Sequence, residues 1–237
     1  MKKLVASTLI AMSAAAAMAG STWLQYSIYT PSDLMIPWER GDVHGLRLNM
    51  PYGNNKGHLL GLDLGFAGIL SERMTGCQLT GFNMVDLATS RGFQFGVVAN
   101  RTKEICGVQM SGILNWNEDV AYGFQLAPVN IDGEFYGVQF GGFSWLAGAS
   151  CGFTAAGFLM ARNEYKGVSL AALNYGLQHV SGLQMGGANL TMQTSSGLQL
   201  GVVNFAKHHE GVQIGIVNVN GVGFLPCLPF VNFNFTH

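Results

Sequence analysis

Residues 197–204 read Gly197-Leu198-Gln199-Leu200-Gly201-Val202-Val203-Asn204, and residues 211–218 read Gly211-Val212-Gln213-Ile214-Gly215-Ile216-Val217-Asn218. Both follow one pattern of eight residues, here called the octet: glycine, apolar, glutamine, apolar, small, apolar, apolar, asparagine. Its lead glycines are at positions 45, 61, 76, 92, 107, 123, 137, 152, 167, 182, 197 and 211. Successive lead glycines are 14 to 16 residues apart. Self-similarity at a short, fixed period predicts a repeat architecture.

Apolar and polar residues alternate within the octet with period two, which predicts a β-strand. Val212 and Ile214 therefore point one way, and Gln213 and Gly215 point the other. We expect the aliphatic side chains to be the buried surface of each repeat. The third position is always polar: Arg47, Asp63, Gln78, Gln94, Gln109, Gln125, Gln139, Thr154, Ser169, Gln184, Gln199 and Gln213.

The eight glutamines are the only candidate interaction residues that the sequence offers. Stacked in register, their amides would form a flat polar face suited to a sugar, a strand of a partner or a second copy. The alternative is that these amides only bond to one another along the stack, because each has both donors and acceptors.

The repeat predicts an all-β fold, a single-domain parallel β-solenoid of about 12 coils with about 15 residues each. The octet is asymmetric, with glycine at its start and mostly asparagine at its end. Antiparallel neighbours would place the start of one octet beside the end of the next, and would favour a two-strand period. A one-strand period favours parallel stacking.

An antiparallel outer-membrane β-barrel, with one strand per repeat, is the alternative. The run Val231-Asn232-Phe233-Asn234-Phe235 alternates and would suit a closing strand. The connecting segments are uniformly short, however, whereas outer-membrane barrels alternate short turns with long loops. In the barrel case the function would be that of a pore or a structural barrel.

The first residues have the pattern of a signal peptide. Lys2 and Lys3 precede an apolar stretch, and Ala17-Met18-Ala19 fits a cleavage site. We therefore divide the chain into a signal peptide (1–19), an N-terminal cap (20–44), tandem repeats (45–220) and a C-terminal cap or closing strand (221–237). The expected location is the cell surface, outer membrane or periplasm of a Gram-negative-type bacterium.

Composition limits the partners. Charged residues make up 11% of the chain and the net charge is −1, which gives no basis for nucleic-acid binding. A membrane partner is expected only for the barrel alternative. The four cysteines are expected to be small buried hydrophobic residues: Cys77, Cys106, Cys151 and Cys227.

Residues with catalytic or metal-binding potential are few. His208-His209-Glu210 is the densest set of possible metal ligands, but adjacent side chains diverge along a strand. The pairs Asp132 with Glu134 and Glu118 with Asp119 lie in short polar connectors, where charge is expected for solubility. We therefore expect no enzyme, no cofactor and no metal site.

The chain resembles a family of bacterial exported surface-repeat proteins with tandem Gly-Leu-Gln-Leu-Gly-Leu-Val-Asn-like units. The resemblance rests on residues 45–53 and 61–65, on the later octets and on residues 224–235. It implies no established activity and no functional residues. It is compatible with a structural or adhesion-like role, in which the partner would be another envelope protein, a host-surface protein or a glycan.

Overall fold

A computed structural model of the chain describes residues 21–27, 35–36, 41–55, 57–70, 73–222 and 226–235. The predicted signal peptide lies outside these residues. Regular structure in the described residues is entirely β, and none of them belongs to a helix long and apolar enough to cross a membrane. The chain divides into two compact units between Asn117 and Glu118.

The first unit contains β1 (Ser21–Ser27), β2 (Met35–Ile36), β3 (Asp42–Asn55), β4 (Leu59–Leu70) and β5 (Met74–Ser111). β1 pairs with β3, β3 with β4, and β4 with β5, always in parallel. Lead glycines are partners in this register, as with Gly45 and Gly61. β6 (Leu114–Leu126) has residues in both units.

The second unit continues with β7 (Val129–Leu146), β8 (Ser150–Ala161), β9 (Glu164–Gly176), β10 (His179–Asn220) and β11 (Cys227–Asn234). β7, β8, β9 and β10 pair successively in parallel, with lead glycines in register. β10 is long because the chain stays extended through the octets that begin at Gly182, Gly197 and Gly211.

Parallel pairing at an offset of one repeat confirms the β-solenoid. The barrel alternative is wrong, because an outer-membrane barrel requires antiparallel neighbours and the described repeats pair in parallel.

Glycine is required at the lead position for two reasons: the backbone conformation there, and the lack of space for a side chain. All twelve have φ values between 110° and 153°, a region that other residues rarely adopt. A Cβ atom on Gly152 would lie 2.0 Å from the carbonyl oxygen of Gly137, the lead glycine of the preceding coil. Glycine at this position therefore allows consecutive coils to stack at β-sheet spacing.

Antiparallel strands cover the two ends of the stacks. β2 pairs with β1, and β11 pairs with the last coil of β10 so that Asn232 is the partner of Gln213. Pro229 falls where this register shifts, and the next residue, Phe230, has a φ of 68°. A proline that cannot donate a backbone hydrogen bond is tolerated at such a bulge.

The octet side chains point in the opposite directions to those that we expected. Every third-position side chain points inward, and none exposes more than 4% of its surface. The apolar side chains of the second, fourth, sixth and seventh positions point outward, as shown by Val202 (52% exposed) and Ile216 (63% exposed). The expectation that these aliphatic residues form the core is wrong, because alternation places the polar set inside.

An apolar contribution to the interior comes from outside the octet. The residue two positions before each lead glycine is buried in every coil, and most of these residues are apolar. In the first unit Val43, Leu59, Met74 and Val85 form one buried cluster. The coil interior thus combines amide columns with an apolar column that belongs to the connecting segments.

Candidate functional site: the amide interior and the apolar outer surface

The predicted glutamine face is a column of hydrogen bonds inside the solenoid. In the first unit Nε2 of Gln94 donates to Oε1 of Gln78 at 3.1 Å, and Gln109 donates to Gln94 at 3.2 Å. In the second unit Gln139 donates to Gln125, and Gln213 donates to Gln199, both at 2.7 Å. The same relation links Gln199 to Gln184. The amides bond to one another along the column, as in the alternative interpretation of the sequence, and only Oε1 of Gln139 and Oε1 of Gln213 lack a hydrogen-bond partner among these glutamines.

Because these glutamines are buried, they cannot form a binding surface. All eight lie in the interior: Gln78, Gln94, Gln109, Gln125, Gln139, Gln184, Gln199 and Gln213. A partner on the outside of the coil cannot reach their amides. The expectation of an exposed glutamine face is therefore corrected, and the outer surface has to be sought among other residues.

A second column consists of asparagines at or next to the eighth octet position. In the second unit Asn174 donates to Asn189 at 2.7 Å, Asn189 to Asn204 at 2.8 Å, and Asn204 to Asn218 at 2.7 Å. Nδ2 of Asn204 also donates to the backbone oxygen of Ile214 at 2.9 Å. Asparagine donors point to the following coil and glutamine donors to the preceding one, so the two columns have opposite polarity.

The glutamine column is interrupted where the third position holds Thr154 and Ser169. The side chain of Tyr165 is buried beside this gap, and its hydroxyl donates to the backbone oxygen of Val168 at 2.8 Å. Burial raises the pKa of Tyr165 to about 12. An aromatic side chain from the connector thus occupies the interior where two short third-position residues leave room.

Ionisable groups also lie in the interior of the second unit. Asp132 is 1% exposed and accepts hydrogen bonds from Gln125 at 2.9 Å and Gln139 at 2.6 Å. His209 is fully buried, with Nδ1 3.0 Å from the hydroxyl oxygen of Ser195. Burial lowers the pKa of His209, although the nearby charge of Glu210 acts in the opposite direction.

The other sequence candidates are dispersed. His208 and Glu210 are exposed on the outside, whereas His209 between them points inward. In the same way, Asp132 is buried and Glu134 is half-exposed. No group of three potential metal ligands occurs among the described residues. The structure therefore does not bring these candidates together.

The cysteines differ from expectation as well. Cys106, Cys151 and Cys227 are exposed, Cys77 is half-buried, and all four are free. Their expected burial is wrong for the three exposed residues. Cys106 and Cys151 directly precede lead glycines, and this position points outward because the residue before it points inward.

The outward side of the octets is uniformly apolar. In the second unit we call this surface the octet side, formed by the second, fourth, sixth and seventh octet positions from Phe124 to Val217. Every residue at these positions is apolar, and aromatic rings contact one another along it, with Phe143 and Phe158 stacked at 5.4 Å. An apolar surface that continues from coil to coil is typical of an interaction site.

Charge in the second unit is confined to the connecting segments, whose outward residues we call the connector side. Arg162, Lys166, Lys207 and Glu210 are exposed there. Lys166 forms an ion pair with Glu164 at 2.8 Å, which lowers the pKa of Glu164. The outer surface of this unit is therefore amphipathic around each coil.

Grooves lie on the octet side next to β11. One of about 400 Å³ is lined by Val202, Ile214, Ile216, Phe230 and Val231. Another of about 530 Å³ has Leu198, Val212 and Phe235 in its lining. Both are apolar in their side chains except for Ser196 and Glu210 at the edge of the second groove.

This outer surface was not predicted from the sequence, although a signal for it was present. Arg47 and Asp63 occupy the third position in consecutive octets, and opposite charges in stacked positions indicate a paired, inward-facing column. No family model, no curated protein and no solved structure matches the chain. The resemblance to exported surface-repeat proteins stays a prediction.

Proposed function

We propose that this chain is an exported, non-enzymatic envelope protein with a structural or interaction role, and that its apolar octet side is the surface it uses. The proposal rests on the direction of the octet side chains, which is the inverse of the expected one. Polar side chains that would otherwise be available for chemistry or recognition are bonded to each other in the interior, while apolar side chains are presented outside.

The outward direction of the apolar side chains limits the class of partner. Glycan recognition relies on directed hydrogen bonds from polar side chains, and the octet positions that face outward in the described coils hold apolar residues only. A partner that buries apolar surface gains roughly 25 cal/mol per Å² removed from water. The proposed partner is therefore apolar, either a membrane or an envelope protein.

Export is supported by the sequence of the first nineteen residues and is tested by processing. When the full chain is expressed in a Gram-negative host, we expect an envelope fraction whose N-terminus is Gly20. Changing Ala17→Leu together with Ala19→Leu should block cleavage, because both positions require small residues. The matched control is Met18→Leu, which lies between them and should be processed normally.

An uncleaved chain that remains in the cytoplasm would contradict the proposal. Processing of the Ala17→Leu, Ala19→Leu chain at the same site would also contradict it. N-terminal sequencing of the envelope and cytoplasmic fractions distinguishes these results.

A further inference from the structure

The proposed function leaves the identity of the apolar partner open. We propose that the octet side of the second unit lies against the hydrocarbon of a phospholipid bilayer, with the connector side in water. This inference rests on the proposed envelope role, and it names the occupant of the octet side.

The octet side lacks the polar groups that a protein partner would use. Protein interfaces carry about one hydrogen bond per 100–200 Å² and have a polar rim. From Phe124 to Val217, every second, fourth, sixth and seventh octet position is apolar, and every fifth position is Gly or Ala. A bilayer interior requires no directed hydrogen bonds, so this composition fits it better than a protein surface.

The backbone beneath the octet side is already hydrogen-bonded. β8 pairs in parallel with both β7 and β9, and β9 also pairs with β10. An unpaired backbone group is strongly disfavoured in hydrocarbon, where no water can bond to it. Because the ladders pair these groups with neighbouring coils, the octet side can contact lipid without exposing them.

Amphipathic aromatic residues lie at two positions on each border of the octet side, and in other coils the position before the lead glycine holds Lys166 or Glu210. Tyr122 and Tyr136 lie just before lead glycines, with rings stacked at 5.1 Å. Trp145 and Tyr175 lie just after the eighth octet position on the other border. Tyr and Trp are enriched at the level of lipid headgroups because each has an apolar body and a polar tip.

The charges of the connector side indicate that attraction to anionic lipid is not the driving force. Exposed Arg162, Lys166 and Lys207 are interspersed with Glu164 and Glu210, and they form no basic cluster. Binding to an anionic surface depends on clustered Lys and Arg and weakens with salt. Binding through the octet side should therefore be equal for zwitterionic and anionic vesicles and should resist salt.

The inference differs from the expectation that only a barrel would contact a membrane. A solenoid with polar columns inside needs no lumen to place its apolar side in lipid. The grooves beside Ile216 and Phe235 are of a size and character to accept acyl chains.

The experiment places an environment-sensitive dye at two sites of the full chain. All four cysteines are changed to serine, and a single cysteine is introduced by Ile216→Cys on the octet side or by Lys207→Cys on the connector side. Each protein is labelled with NBD and mixed with phosphatidylcholine vesicles that contain spin-labelled acyl chains. The predicted signal peptide is common to both proteins, so the comparison between sites reports orientation alone.

We expect the label at position 216 to shift to the blue and to be quenched at least threefold more than the label at position 207. The same ratio should be found with 30% phosphatidylglycerol and in 0.5 M NaCl. If the Ile216→Cys protein lacks the β circular dichroism spectrum of the parent, Val202→Cys provides the same test one coil earlier.

Equal quenching at the two sites, or a chain that binds vesicles with neither label quenched, would overturn the inference. A concentration-dependent blue shift at position 216 without lipid would also overturn it and would assign the octet side to a second copy. None of these results affects processing at Gly20, so failure here is distinguishable from failure of the proposed export.

Discussion

Arg47 and Asp63 form a fully buried ion pair between consecutive coils of the first unit. Nε of Arg47 donates to Oδ1 of Asp63 at 3.1 Å, and its terminal NH2 group donates to Oδ2 at 2.6 Å. The two residues are register partners at the third octet position. Gln78, at the same position one coil later, donates to Asp63 at 2.9 Å. The ion pair therefore replaces an amide pair and continues directly into the glutamine column.

Removing one partner of this ion pair should destabilise the first unit strongly. Asp63→Ala leaves the Arg47 guanidinium buried without its counter-charge, for which the expected loss is about 3–5 kcal/mol. The measurement is the free energy of unfolding in urea. The control is Asp86→Ala, an exposed carboxylate in the same unit, with an expected change below about 0.5 kcal/mol.

A double variant separates the value of the pair from the penalty of an orphaned charge. Arg47→Met with Asp63→Leu should lose less than Asp63→Ala, because both variants take Asp63 from the amides of Gln78 and Asn49 but only Asp63→Ala also leaves a buried charge unpaired. Equal losses would show that the orphaned amides of Gln78 and Asn49, and not the unpaired charge of Arg47, account for the loss.

Interrupting the glutamine column should be costly although only one amide is removed. Gln199→Leu takes the donor from Gln184 and the shorter of two acceptors from Gln213, whose Nε2 keeps only the backbone oxygen of Val219 at 3.3 Å. Each orphaned buried group is worth about 1–3 kcal/mol, so we expect a loss of about 2–4 kcal/mol. Gln193→Leu, on an exposed connector of the same unit, should change stability by less than about 0.5 kcal/mol. Similar values for the two variants would contradict the column.

The lead glycine Gly152 should be far less tolerant of a methyl group than Gly142 ten residues earlier. Gly152→Ala combines a φ of 146° with a contact of 2.0 Å to the Gly137 carbonyl oxygen, and should lose about 3 kcal/mol or more. Gly142→Ala meets its nearest atom at 3.0 Å without a positive φ, and should lose about 1 kcal/mol or less. Thermal unfolding of the two variants gives the comparison, and an inverted order would be incompatible with the stacking.

His209 should make the stability of the second unit depend on pH. Its burial lowers the pKa from the usual 6.5, so the folded chain excludes a proton that the unfolded chain binds. The stabilisation is fully present above pH 6.5 and is lost as the pH falls from there towards the folded-state pKa. His209→Gln should flatten the stability profile below pH 6.5, whereas His208→Gln, at an exposed position, should not. A profile unchanged by His209→Gln would refute this assignment.

The fold was predictable because the octet constrains it twice. Its period gives the repeat, and its asymmetric ends, as at Gly197 and Asn204, favour parallel over antiparallel stacking. The break in the glutamine column at Thr154 and Ser169 was also visible as a change of residue type. These patterns are local in the sequence. They sufficed to predict the fold because each coil contacts its neighbours along the column.

The direction of the side chains was not predictable from alternation alone. Period two separates Gln199 from Leu198 and Leu200, but it does not say which set faces the interior. Transfer free energies favour apolar residues inside, and that general rule fails here because stacked amides satisfy each other. The buried apolar column of Val43, Leu59 and Met74 was not predicted either, because it lies in the connecting segments and not in the octet.

Backbone and side-chain NOEs in the folded, deuterated chain report at once whether the octets stack in parallel and whether their amides lie inside. Amide–amide contacts are expected between register partners such as Phe153 and Val168. Slowly exchanging side-chain NH2 protons on Gln213, with contacts to Gln199, are expected as well. Contacts that join the start of one octet to the end of the next, with glutamine NH2 protons that exchange as fast as exposed ones, would contradict parallel stacking with the amides inside.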